Sequence, residues 1–149
     1  MRVKKTYAED LPYWQTSRSS DKALDEAKKN IAEAGGKITG EGFMMTDGVS
    51  AFMLQFEIDG DTFRYVEPVI ESKNGNTKSA KIQAAASLKH TIKSRCVEAR
   101  RKGAKKAFIG EMLLSTGQTI NEMDTPELAE FARALSPSDV PVLIAGEVE

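Results

Sequence analysis

The amino-acid sequence predicts an α+β domain: an α-β-β-β-α core with a three-stranded antiparallel sheet, a long basic helix and an acidic helical C-terminal extension. Apolar residues recur at helical spacing before residue 35 and again after residue 77. Between these stretches lie three apolar segments separated by two Asp-Gly pairs, which are strong turn signals. A chain of 149 residues is long enough for one domain with its own core.

The first helix is predicted to be capped by Ser19 or Ser20, because a serine hydroxyl accepts a hydrogen bond from the free N–H groups of a first turn. Gly35 and Gly36 are predicted to end it, since glycine takes the left-handed conformation freely. The apolar positions of this helix are Leu24, Ala27, Ile31 and Ala34. Residues 1–18 are predicted to form an irregular arm that packs on the domain or on another subunit.

The three strands are predicted over residues 37–45, 49–58 and 62–70. In the second, every other residue from Phe52 to Ile58 is apolar, which predicts a strand with one buried face. Asp59-Gly60 predicts a tight hairpin turn before the third strand. Pro68 predicts that the third strand is an edge strand or ends in a bulge, because proline has no N–H to donate to a neighbour.

The long helix is predicted to begin near Thr77 and to end or kink at Gly103. A second helix is predicted over residues 104–114, and a last helix over residues 125–135. The apolar stripe of the long helix consists of Ala85, Leu88, Ile92, Cys96 and Ala99. At 100° per residue, several of its cations fall beside this stripe.

Charge is strongly segregated along the chain, although the formal net charge is −1. Residues 78–106 carry ten cations against one acid, Glu98, which predicts a pair with Lys102. The ten are Lys78, Lys81, Lys89, Lys93, Arg95, Arg100, Arg101, Lys102, Lys105 and Lys106. Residues 107–149 carry eight acids against Arg133. Such asymmetry favours a polyanion partner or a basic surface that pairs with an acidic one.

The predicted organisation is an arm over residues 1–18, the core over residues 19–114 and the acidic extension over residues 115–149. No apolar run approaches the roughly 20 residues that cross a bilayer, and the first residues lack the apolar region of a signal peptide. One cysteine excludes an internal disulfide and favours a reducing cytoplasm. The single histidine, His90, is interpreted as an exposed helix residue, and no cofactor or membrane partner is predicted.

The first functional hypothesis is nucleic-acid binding, with DNA favoured over RNA, by a homo-oligomer without catalytic residues. A dense row of cations attracts the phosphate backbone and releases its counterions. The predicted contacts are Lys78, Lys81, Lys89, Lys93, Arg100, Arg101, Lys105 and Lys106. The candidates for stacking on unpaired bases are Phe63, Tyr65 and Trp14.

The stretch from Thr77 to Lys81, followed by three alanines, resembles the second helix of double-stranded RNA-binding domains. In that family a helix of an α-β-β-β-α fold presents lysines to phosphates, and the matching positions are Lys78 and Lys81. The chain has Thr46-Asp47-Gly48-Val49 where that family has a Gly-Pro-x-His element. The sheet backed by a helix is also similar, at the level of the fold, to Rad52-like annealing proteins, which bind single strands in a ring.

A wider resemblance runs from Trp14 to the end of the chain. It consists of a Trp-Ser start, a helix ending in glycine and strands around an Asp-Gly turn. A long helix with Lys-x-Arg, a Phe-x-x-Glu-Met-Leu-Leu segment and a final Val-Pro-x-Leu follow. This order resembles small proteins encoded by phages and prophages, most of which have no assigned function. The resemblance implies a role in replication, recombination or counter-defence in the host cytoplasm.

Two alternative functions remain open from the sequence. The first is a Mg²⁺-dependent nuclease of the restriction-endonuclease-like type, in which Asp59 or Asp61 and Glu71 hold the metal and Lys73 activates water. The second is an oligomeric interaction or counter-defence factor. Its basic helix would pair with the acidic region of another subunit or with a host protein.

Overall fold

The computed structural model describes residues 5–16, 19–46 and 49–123, together with Pro126. The elements are α1 (Ser20–Glu33), β1 (Lys37–Thr46), β2 (Val49–Ile58), β3 (Asp61–Pro68) and α2 (Thr77–Lys102). The predicted α-β-β-β-α order is therefore confirmed. The predicted helix over residues 125–135, except Pro126, lies outside the described residues, as do the tail after it and the predicted Asp47-Gly48 turn.

Helix α1 begins and ends as its sequence predicts. The Ser19 hydroxyl accepts a hydrogen bond from the backbone N–H of Lys22, at 3.2 Å. After the helix, Gly35 has a φ of +88°. Gly36 has a further role, because an added Cβ there would lie 2.7 Å from Ile31 Cγ2 and 2.8 Å from Ile58 Cγ1. Only glycine lets α1 approach the sheet this closely.

The sheet is antiparallel in the order β1-β2-β3, with an extra residue in β1 between Ile38 and Gly40. Asp59 and Gly60 both have positive φ, +53° and +86°, as a type I′ turn requires. Strand β3 lies at an edge, as Pro68 predicts, and Pro68 is its last residue. The strand therefore ends two residues before the predicted position.

The segment after α2 does not form the continuous second helix that the sequence predicts over residues 104–114. It forms a short helix, α3 (Ala104–Ala107), and one 3₁₀ turn (Ile109–Glu111), and then runs along the outer edge of β3. The Leu113 N–H donates to the Thr62 carbonyl at 2.9 Å. Phe108 is fully buried against Phe56 and Phe63, with ring centroids 5.1 and 5.6 Å away. Burial of this ring and pairing with the strand edge replace the regular helix.

Helices α1 and α2 cover the same face of the sheet, and the core lies between the two helices and this face. It includes alternate residues of β2 and the predicted stripe of α2, of which Ala99 alone is only partly buried. The described part of the arm packs on its own domain. Ala8 is fully buried and its N–H donates to the Glu71 carbonyl, while Gln83 of α2 donates to the Pro12 carbonyl at 2.9 Å. No helix within the described residues is long and apolar enough to cross a membrane.

Candidate nucleic-acid interface on the long helix

Eight of the ten cations between residues 78 and 106 fall into two groups, which differ in whether an acid lies within reach. The first group has acidic partners. Arg95 pairs with Glu111, Arg101 and Lys102 both pair with Glu98, and Lys105 pairs with Asp61. These contacts neutralise part of the segregated charge inside the domain.

The Arg95–Glu111 pair is the most buried of these contacts. Glu111 is 2% exposed, and its second carboxylate oxygen accepts a hydrogen bond from the Asn121 amide. Arg95 also donates to the Ala107 carbonyl at 3.3 Å. The pair therefore fastens the segment after α2 onto α2. Arg95 is not among the predicted contact residues, and its role in the structure is architectural.

The predicted Glu98–Lys102 pair is confirmed, with the atoms 3.2 Å apart. Glu98 also accepts a hydrogen bond from Arg101 at 3.0 Å. Lys105 lies 3.7 Å from Asp61. Exposed pairs of this kind contribute about 0–1 kcal/mol, so they hold their side chains only weakly. Arg101 and Lys105, both predicted contacts, thus already have acidic neighbours.

The second group forms what we call the cation row: Lys78, Lys89, Lys93 and Arg100. None of the four makes an ion pair with another residue that the structure describes. At 100° and 1.5 Å per residue, the row lies within about 60° of the helix circumference and extends over about 33 Å. Three of the four side chains are exposed and that of Lys89 is half-buried. Lys106 of α3 is likewise exposed and unpaired within the described ranges.

Lys81 differs from both groups, because it sits against aromatic rings. Its ammonium lies 4.3 Å from the ring centroid of Phe43 and 5.8 Å from that of Phe52. Phe43 is 41% exposed. Phe43 is not among the predicted contact or stacking residues, although the sequence contains a signal for its exposure. Phe43, Met44 and Met45 are consecutive, and a strand alternates its faces, so three large apolar neighbours cannot all be buried on one side.

The predicted stacking residues are not available as a group. Phe63 is fully buried in the core, so that prediction is wrong. Tyr65 packs against the core, and its hydroxyl donates to the Glu67 carboxylate at 2.6 Å. Burial raises the pKa of both side chains. Trp14 is half-buried in the arm. His90 is exposed, as predicted, and stacks on Tyr13 with ring centroids 4.2 Å apart.

The residues proposed for a nuclease are not brought together. Asp61 begins β3 and Glu71 follows its end, so the strand's length of about 23 Å separates them. Glu71 pairs with Lys5, and Lys73 lies near the Tyr7 ring. In the described part of the chain, no group of three His, Cys, Asp or Glu residues is placed to hold a metal ion. The separation results from Glu71 lying beyond Pro68, outside the paired strand.

The described acids of the C-terminal region bind away from the cation row. Arg64 of β3 donates to Glu122 from Nε at 2.7 Å, and this hydrogen bond lowers the pKa of Glu122. Glu111 binds Arg95. The other acids of this region lie outside the described residues: Asp124, Glu127, Glu130, Asp139, Glu147 and Glu149. Comparison with protein-family models, curated proteins and solved structures finds no match to this chain.

Proposed function

We propose that the protein binds nucleic acid through the phosphate backbone, with the cation row of α2 as the contact surface. The role is one of binding or annealing, as replication and recombination require, in a reducing cytoplasm. The observation that carries the proposal is that four cations share one face of α2 without an acidic partner among the described residues. Adjacent phosphates would supply the missing counter-charge, and counterion release would favour binding.

The contrast with the paired cations favours a phosphate-binding role for the cation row over the alternative that the row only faces solvent. The same region neutralises Arg95, Arg101, Lys102 and Lys105 with acids from three different parts of the chain. Surface helices ordinarily mix both signs, because pairs three or four residues apart stabilise them. Along the row this arrangement is missing, so repulsion between its cations favours an external anion.

The test is a binding titration with fluorescently labelled oligonucleotides, single- and double-stranded, at 50 and 200 mM salt. Two variants remove two charges each: Lys89→Gln with Lys93→Gln in the row, and Arg101→Gln with Lys102→Gln in the paired group. The row variant should lose most of the affinity and show a salt slope smaller by about 1.4 for single strands. The paired variant should lose little. Equal losses in both would contradict the assignment of the row.

A second candidate function, self-association, is favoured by a separate observation. The outer edge of β1 has no neighbouring strand among the described residues, and Met44 and Met45 of this strand are 44% and 73% exposed. An open strand edge with apolar neighbours is a template for pairing with another chain. Light scattering at low and high salt separates this from charge-driven assembly. A dimer that persists at 1 M salt indicates strand pairing, and a monomer at every salt concentration excludes self-association.

A further inference from the structure

A cleft of about 670 Å³ opens where α2 begins. It lies between the β1–β2 hairpin, the loop after β3 and the first turn of α2. Its apolar wall is formed by Phe43, Met45, Val69 and Ile70, and its rim by Ser72, Thr77, Lys78 and Lys81. Sites for small organic ligands measure about 300–1,000 Å³, so the cleft has room for one nucleotide.

The rim of the cleft favours an anion. Helix α2 is 26 residues long, its first turn contains no acid, and its positive end faces the cleft beside Lys78. Lys81 adds a second positive charge next to Phe43. Among the described residues that line the cleft, Glu71 is the one acid, and it is paired with Lys5, whose ammonium offsets the carboxylate.

The wall of the cleft presents an aromatic ring and a methionine to solvent. Phe43 is 41% exposed and Met45 is 73% exposed, although both belong to a regular strand. Aromatic rings beside cations are the surfaces on which proteins stack unpaired bases, because every base has a π-face and a phosphate nearby. The combination of apolar wall and cationic rim therefore fits a base together with its phosphate.

We infer that this cleft binds one unpaired nucleobase of a single-stranded nucleic acid, with the phosphate of that nucleotide against Lys78 and the start of α2. The inference rests on the proposed function and specifies its substrate. Lys78 belongs to both surfaces, since it lines the cleft and begins the cation row. A strand anchored in the cleft continues along the row past Lys89. A duplex must first unstack and unpair a base, which costs a few kcal/mol, so single strands bind more tightly.

The first part of the test varies the oligonucleotide. Two oligonucleotides of equal length and charge are compared on the wild-type protein: a thymidine 12-mer and the same backbone with abasic sites at every position. Stacking of a base contributes about 1–3 kcal/mol, so the abasic strand should bind about tenfold or more weakly. Equal affinity would overturn the inference and leave backbone binding by the row intact.

The second part of the test varies the protein. Phe43→Leu removes the ring but keeps an apolar side chain against Phe52, and Met45→Gln changes an exposed position. Both should lower affinity for the thymidine 12-mer, Phe43→Leu by about tenfold, and leave duplex binding unchanged. Lys93→Gln should weaken single- and double-strand binding together. Loss of duplex affinity in Phe43→Leu with an unchanged thermal midpoint would overturn the inference. Wild-type protein that binds neither oligonucleotide would overturn the proposed function as well.

Discussion

Lys93 and Arg95 are two residues apart on the same helix, and their surroundings are opposite. Arg95 lies under the segment that follows α2 and is bound by the buried carboxylate of Glu111. Lys93 points to solvent with no acidic partner in the described ranges. The comparison teaches that the net charge of a segment is a poor measure of the charge it offers to a partner. Arg95 fastens the segment after α2 onto the helix, and the cation row leaves its charge available.

The largest expected effect is on binding and tests the row directly. Reversing two of its charges with Lys89→Glu and Lys93→Glu places acids where phosphates are proposed to lie. Affinity for a labelled oligonucleotide should fall by about 100-fold or more at 50 mM salt. Urea unfolding should change by no more than about 0.5 kcal/mol, as for other surface substitutions. Retained affinity in this variant would remove α2 from the interface.

The second effect is on stability and tests the paired group. Glu111→Ala leaves Arg95 and Asn121 without their shared acceptor. Because the Arg95 side chain is 36% exposed and regains part of its hydration, this loss should lower the free energy of unfolding by about 1–3 kcal/mol. Glu111→Gln, which keeps a hydrogen-bond acceptor, should cost less. Affinity per folded molecule should not change in either variant, and a loss of binding without a loss of stability would contradict the comparison.

The third effect is on the pH dependence of stability, where two carboxyl groups should act in opposite directions. The pKa of Glu122 lies below its ordinary 4.5, because Arg64 donates hydrogen bonds to the carboxylate. Its contribution is therefore present above pH 4.5 and is lost as the pH falls through the lowered pKa. Urea unfolding between pH 3 and 7 should show a shallower acid loss in Glu122→Gln than in the wild type.

Glu67 is the matched case, because burial raises its pKa above 4.5. The unfolded chain then loses its proton at a lower pH than the folded protein does. Stability from this group consequently declines as the pH rises from 4.5 through the raised pKa. Glu67→Gln should remove that decline while keeping an acceptor for the Tyr65 hydroxyl. Identical pH profiles for Glu67→Gln and Glu122→Gln would contradict the opposite assignments.

The smallest effect concerns the exposed pairs of Glu98. Glu98→Gln releases Arg101 and Lys102 from their acid and costs about 0.3–0.5 kcal/mol per pair in helix stability. Because the substitution removes a negative charge two residues before Arg100, the positive potential at that end of the cation row increases, and oligonucleotide affinity should rise by a small factor. Oligonucleotide titrations of this variant and of the wild type at 50 mM salt measure the change in affinity. Weaker binding would mean that Glu98 takes part in the interface.

Local pattern was sufficient for most of the fold. The alternation of β2, the Asp59-Gly60 turn, the Ser19 cap and the beginning of α2 all lie where the sequence predicts them. Each depends on residues within a few positions of one another, whose backbone preferences act before any tertiary contact forms. The sequence also shows the ten cations directly, and the spacing of apolar residues predicts the apolar stripe of α2.

The Glu98–Lys102 pair was predicted from local spacing, but only the tertiary structure decided that Arg95 and Lys105 have acidic partners and which surface remains. Arg95 meets Glu111 because Phe108 is buried and the chain after α2 turns back along β3. Lys105 of α3 lies near Asp61 at the start of β3 for the same reason. The exposure of Phe43 and the separation of Asp61 from Glu71 likewise follow from how strands and loops are placed. These long-range ion pairs and the burial of side chains depend on residues far apart in the chain, whose distances no local pattern determines.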